Sequence, residues 1–242
     1  QAIASKDNPL TARVMVNRVW GHHFGQGLVR TAGDFGAQGD PPTHPELLDW
    51  LAARFVADGW SVKQLHRLIL RSRVYRQSGA DRPDGREADP DNRLLWRMSR
   101  RRLDFEAMRD AMLAVSGALD RTPGGPPVDM FAKPFTSRRT VYGFIDRFSM
   151  PKLLRTFDYP SPDASSPRRH ETIVPTQGLY LLNGPFVVEQ ARRMARAGES
   201  AAPASDEARV SELFRRALGR APAPEEEAAA VAFVRGVPAP PA

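Results

Sequence analysis

Cysteine is absent from this 242-residue chain. That excludes disulfides, thiolate zinc sites, a cysteine nucleophile and the Cys-x-x-Cys-His attachment of a c-type haem. Lysine is scarce as well, with four residues against 31 arginines. No apolar run approaches the roughly 18 residues that a membrane-crossing helix needs, so no transmembrane segment is expected here. The amino terminus also lacks the charged and apolar regions of a signal peptide. Because the chain opens as if in mid-sequence and closes on PAPPA, it reads as an excerpt of a longer protein.

What is present is positive charge. The formal net charge is +7, carried almost wholly by guanidinium groups, whose planar fork suits bidentate pairing with carboxylates, sulfates and phosphates. A GC-rich coding bias is the bland alternative, and the dispersal of the arginines along the chain favours it. Arg100-Arg101-Arg102 is the one run, and it reads as a solvated turn before a helix. Nucleic-acid binding is not expected: basic residues are dispersed, aromatics are few at 8%, and no recognition module is readable.

Apolar periodicity predicts a mainly α protein. The expectation is a helical bundle of about seven to nine helices, with long Pro/Gly-rich loops and at most a small β element. Residues 8 to 60 organise it. From Leu10 to Phe24, the residues Ala12, Met15, Val16, Val19 and Trp20 recur at helical spacing. His23 extends that stripe, whereas His22 lies about 100° round the helix, so the two cannot clamp one metal. Arg13 and Asn17 share a face, and Arg18 lies beside His22. A loop rich in glycine follows, in which Asp34 reads as a turn cap. Thr43-His44-Pro45-Glu46 reads as a capping box before a second helix, and places His44 at that helix's positive end. Ser61 to Gln64 repeats the pattern and opens a third helix.

These three helices make an N-terminal unit, 1–76, followed by a charged linker, 77–97. A second helical part, 98–198, contains a Pro/Gly-rich loop and an Arg/Asp-rich segment. A C-terminal helical pair and Pro-rich tail, 199–242, ends the chain, with Leu213, Phe214 and Leu218 expected to face Val231 and Phe233. Asp104 is placed to cap the helix at 105, and TVYGFI at 140–145 is the one stretch with strand character. That strand would need a partner from the Gly-rich loop or from a missing part of the protein. Arg147, Asp158, Arg168 and Arg169 sit in apolar company, so Arg–carboxylate pairing is the structural expectation for them.

The runs NPLTARVMVNRVWGHHFGQGLV, DFGAQGDPPTHPELLDWLA, GWSVKQLHRLILRSRVYRQS, VYGFIDR, FDYPSP and TIVPTQGLYLLNGPF resemble the planctomycete family called domain of unknown function 1553, over nearly the whole chain. The resemblance implies large exported proteins, hence an extracytoplasmic (periplasmic or secreted) setting, often with a cytochrome c module. Haem c is then expected in another part of the full-length protein, with no cofactor and no metal in this chain. No activity comes with the resemblance, although the family's usual polar residues are intact at Arg18, His22, His23, His44, Arg169 and Thr172.

Three functions follow. The first is a binding module for an acidic ligand, either an anionic glycan or an acidic partner surface. The second is a hydrolase or lyase acting on polysaccharide through a His/Asp site; no His-Glu-x-x-His or Gly-x-Ser-x-Gly spacing supports it. The third is a docking scaffold for a cytochrome c module, where positive charge would steer an acidic partner. Candidate ligand-binding residues are Arg13, Asn17, Arg18, His22, His23, Asp34, His44, Arg147, Asp158, Arg168, Arg169 and Thr172. One shared site would require the histidine-bearing hairpin and the segment near 170 to fold against each other.

Overall fold

The computed structural model describes residues 5, 8–201 and 205–236, except for the side chains of 198–201. The Pro-rich tail beyond 236 lies outside the described residues. Among those described there are ten α-helices, eight of them at least seven residues long, and no strand. The chain forms two compact units: residues 1–102 with Ser165–Arg168, and residues 103–164 with 169–242.

The first unit is built on α1 (Pro9–Phe24), α2 (Pro45–Ala57), α3 (Val62–Arg71) and the short α4 (Pro83–Ala88). Asn8 starts α1 by accepting from the Leu10 and Thr11 amides at 2.9 and 3.3 Å, with Pro9 in the first turn, where its missing N–H costs nothing. Gly25, at φ 88°, ends it in the left-handed region that glycine tolerates. Val16, Val19, Trp20 and Phe24 of α1 meet Leu48, Leu51 and Phe55 of α2 and Leu65 and Ile69 of α3 in one core. Trp20 stacks on Phe24 at 4.3 Å.

Asn17 is buried within that core, and its amide takes the place of a strand partner. Its Nδ2 donates to the Val29 carbonyl at 3.0 Å and its Oδ1 accepts from the Val29 amide at 2.8 Å. The loop after α1 is thereby folded back along the helix, with Leu28 and Val29 buried beneath it. Gly27 permits the approach, since a Cβ there would lie 2.5 Å from the Asn17 amide.

The expected capping box at Thr43 does not form. His44 is the N-cap residue of α2 and makes no side-chain cap bond. Thr43 bonds to the Leu28 carbonyl instead, through its amide at 2.8 Å and its hydroxyl at 3.3 Å. Pro45 has no N–H to offer, and Thr43 stands one residue too early to reach the first turn. The Ser61 cap does form: its hydroxyl accepts from the Gln64 amide at 3.3 Å.

Residues 77–97 belong to this unit and are held by side-chain-to-backbone bonds. Gln77 donates to the Leu95 carbonyl at 2.8 Å, and the Asp89 carboxylate accepts from the Arg93 and Leu94 amides. Trp96 lies against Gly85, with Arg97 and Arg82 near its ring.

The second unit contains α5 (Phe105–Val115), α6 (Lys152–Thr156), α7 (Pro175–Asn183), α8 (Pro185–Ala201), α9 (Asp206–Leu218) and α10 (Pro224–Gly236). Asp104 caps α5 through the Ala107 amide at 2.9 Å, and Ser205 caps α9 through the Ala208 amide at 3.2 Å. α5 packs on α8, which also touches α7 and α9, and α9 pairs with α10. A buried Ser116 hydroxyl donates to Gln190 Oε1 at 2.8 Å and ties the end of α5 to α8.

TVYGFI does not form a strand. Residues 140–142 make a 3-10 turn, because Asp110 captures both the amide and the hydroxyl of Thr140 at 2.7 Å and bends the chain there. The remaining β character is two isolated bridges, Asp120 to Arg138 and Val128 to Gly143, so the partner comes from the Pro/Gly-rich loop around 120–137. Arg109 organises that loop. It is buried, donates to the Thr136 and Arg138 carbonyls and the Thr140 hydroxyl at 2.6, 3.0 and 3.2 Å, and lies over the Phe186 ring. In the C-terminal pair, Val210 and Val231 are the buried contacts; Leu218 and Phe233 are exposed, contrary to the facing expected of them.

Replacing Asn17 by Ala is expected to destabilise the protein by about 2–4 kcal/mol, since it leaves the Val29 amide and carbonyl buried without partners. Gly27→Ala should act in the same direction by pushing the loop off the Asn17 amide. Urea denaturation checks both, and an Asn17→Ala loss under about 0.5 kcal/mol would contradict the clamp.

Candidate functional site

The twelve candidate residues divide between the two units. In the first, three of them are braces. Arg13 donates to Asp49 at 2.6 Å and to the Pro9 carbonyl, which fastens α1 to α2. Asn17 is the buried clamp described above. Asp34 accepts from the Gly36 amide at 2.7 Å and closes its own turn, and Thr31 adds bonds to the Asp34 carbonyl and the Asp40 amide. His44 Nδ1 lies 3.0 Å from the Thr43 hydroxyl. Arg168 belongs to this unit with Pro167, which lies against Gly33; the Arg168 carbonyl accepts from Ser166 at 2.7 Å.

His23 makes a contact that sequence reasoning did not anticipate, with His22 beside it. His23 Nε2 lies 2.7 Å from Nδ1 of His66 on α3, with the rings nearly edge to face and the Tyr75 ring edge-on at 5.5 Å. Arg101 donates from its guanidinium to the His22 carbonyl. Burial lowers the His23 pKa, and the nearby His66, Arg101 and His22 lower it further. Among the described residues, every neighbouring charge that acts on His23 is positive or potentially so.

The surroundings extend this property. Residues 8–33 and 59–80 contain no Asp or Glu, and His23 and His66 join these two blocks. Lys63, Arg67 and Arg71, at successive turns, form an exposed stripe on α3 opposite its buried Leu65 and Ile69, and Arg18 is exposed one turn before His22. Among the described residues, none of these four has a carboxylate partner. The acid-free blocks were legible in the sequence; the pairing of His66 with His23, 43 residues away, was not.

In the second unit, Arg169 meets the pairing expected of it. It grips Glu106 with both terminal nitrogens at 2.7 and 2.6 Å, lies 3.7 Å from Asp104, and stands over the Tyr159 ring at 5.2 Å. Burial acts to raise the Glu106 pKa, but the Arg169 bonds prevail and hold it below the usual carboxylate range. Asp158, at φ 56°, pairs with no arginine among the described residues. Its carboxylate accepts from the Thr172 amide and hydroxyl at 2.7 and 2.9 Å and ties the loop end to α6. Arg147 also has no carboxylate partner among the described residues and stacks on the exposed Phe148 at 4.6 Å. Sequence reasoning passed over Arg109, Asp110 and Tyr180. Burial raises the Tyr180 phenol's pKa, and Arg109 opposes the rise.

His23 makes stability pH-dependent. Its folded pKa lies below the ordinary value of 6.5, so the unfolded chain takes up the proton first as pH falls. Its contribution is therefore complete above about 6.5 and is lost on acidification through the folded-state pKa. The urea midpoint is expected to fall between pH 7.5 and 5.5, and to fall less in His23→Gln. Equal falls in both proteins would contradict the assignment.

Neither a curated protein nor a solved structure matches the chain. A family model described as "PSD1: Protein of unknown function (DUF1553)" matches residues 1–234. That match covers nearly all of the two units, and the chain belongs to the DUF1553 family.

Proposed function

We propose that the first unit is a binding module for an acidic ligand, held on the basic face where the end of α1 meets α3. The observation that carries this reading is the His23–His66 contact, set among His22 and Arg101 with no carboxylate of the described residues acting on it. Like charges brought together cost free energy unless an anion neutralises them. Eight other arginines are neutralised by carboxylates. Arg13, Arg54, Arg139, Arg169, Arg193, Arg216, Arg220 and Arg235 are all in ion pairs.

The stripe of Lys63, Arg67 and Arg71 repeats at one-turn intervals of roughly 6 Å, which suits a linear polyanion with closely spaced charges. A uronic-acid or sulfated glycan has that chemistry. Polysaccharide hydrolysis or cleavage by a His/Asp site has less support, since Asp34 and Asp158 already commit their carboxylates to Gly36 and Thr172. We further propose the extracytoplasmic setting implied by the family resemblance. No helix among the described residues is long and apolar enough to cross a membrane.

Binding to polygalacturonate is expected to weaken as salt rises from about 0.05 to 0.5 M, because the screening length shrinks to a few ångströms. The double variant Arg67→Glu/Arg71→Glu should lose about tenfold in affinity, given up to about 1 kcal/mol per exposed pair and added repulsion. Arg155→Glu/Arg192→Glu, the same charge change in the second unit, should stay within about twofold of wild type. Equal losses in both doubles, or no salt-sensitive binding to any polyanion, would sink the reading.

A further inference from the structure

We propose that His23 and His66 are the proton-linked part of this site: when an oxyanion of the ligand seats on the pair, the two imidazoles together take up one proton from solvent. The inference rests on the binding reading above and adds its regulation.

The argument is one of donors and acceptors. His23 Nε2 and His66 Nδ1 are 2.7 Å apart, a distance at which one proton must lie between them. If His23 donates, its Nδ1 is a bare acceptor and His66 Nε2 carries the second proton. If His66 donates, the roles reverse. In either tautomer, the neutral pair offers its surroundings one N–H and one lone pair.

A single added proton changes this without breaking the contact. The N–H···N bond remains, and both outer nitrogens, His23 Nδ1 and His66 Nε2, become N–H donors on a cationic pair. A polyanion, whose oxygens only accept, then meets an N–H on either ring, where the neutral pair offers one donor and one repelling lone pair. A second added proton would set two N–H groups against each other and open the contact, so uptake stops at one. Neither outer nitrogen has a hydrogen-bond partner among the described residues.

The groups facing His23 favour its neutral state in the absence of ligand. His22 lies on the same helix, Arg101 comes from the segment before α5, and Tyr75 follows α3; Lys63 stands one turn before His66. On α2 and its C-cap, Asp49 and Asp58 are paired with Arg13 and Arg54. Burial and these positive neighbours hold His23 below its ordinary pKa, and an anion seated there offsets their charge and favours uptake of the proton.

Dextran sulfate is the appropriate probe, because its sulfate esters stay ionised throughout. Titration calorimetry of the full chain at fixed ionic strength, from pH 8 to pH 6, should show affinity rising by about three- to tenfold per pH unit for one linked proton. Repetition in buffers of different ionisation enthalpy should show uptake approaching one proton per site. His23→Gln and His66→Gln should each abolish the pH dependence while salt-sensitive binding persists, and His170→Gln should leave it intact. Imidazole nitrogen resonances of the unmutated protein supply a readout independent of folding in the variants: at pH 7.5 both His23 and His66 should shift toward the protonated form on ligand addition. Salt-sensitive binding without pH dependence, or with no shift at these two rings, overturns the proton linkage and leaves the binding reading standing. Absence of binding at every pH overturns both.

Discussion

The bond pair between the Asn17 amide and the backbone of Val29 is the constraint on which the first unit depends. A buried side chain that satisfies both an N–H and a C=O does locally what a neighbouring strand would do, and the described residues form no strand to do it. Once Val29 is fixed, Leu28 is fixed beside it, and its carbonyl receives Thr43. That sets where α2 begins, and the Arg13–Asp49 pair and the shared core set how it lies on α1. The C-terminal turn of α1 is thereby held against α3, which brings His23 to His66.

The second unit solves a related problem with a cation. Arg109 is buried with carbonyls and a hydroxyl as its hydrogen-bond acceptors and an aromatic face beside it, and it gathers residues 136–140 around α5. Asp110, the next residue, takes Thr140 from the other side. Arg169 gripping Glu106 closes the start of the same helix. Arg109 and Arg169 are thus multi-armed donors whose partners are all supplied by the chain. In the first unit, Arg18, Arg67 and Arg71 face outward without such partners among the described residues. That contrast separates structural guanidinium groups from those free to meet a ligand.

Much of the helical framework was legible because it is local. The stripe of Ala12, Val16, Val19 and Trp20, the Ser61, Asp104 and Ser205 caps, and the prolines at 175 and 185 each act within a turn or two of their own position. Where a residue is claimed from far away, local reading fails. Thr43 looks like a cap until Leu28 engages it, and TVYGFI looks like a strand until Asp110 captures Thr140. The candidate site shows the same division. Periodicity placed His23 on the buried side of α1, but no pattern marks His66 as its partner, since His66 lies at the edge of α3's buried face where packing or solvent is equally acceptable. The deficit of acid at 8–33 and 59–80 is visible in the sequence, and its meaning depends on the two blocks being adjacent.

The central claim is that this adjacency makes a receptor for negative charge. Backbone amide resonances recorded during titration with polygalacturonate test it directly. The account predicts saturable shifts concentrated at residues 18–23, 63–71 and 101, with the second unit little affected. Shifts spread evenly over the arginines of both units, or centred on 147–172, would contradict it.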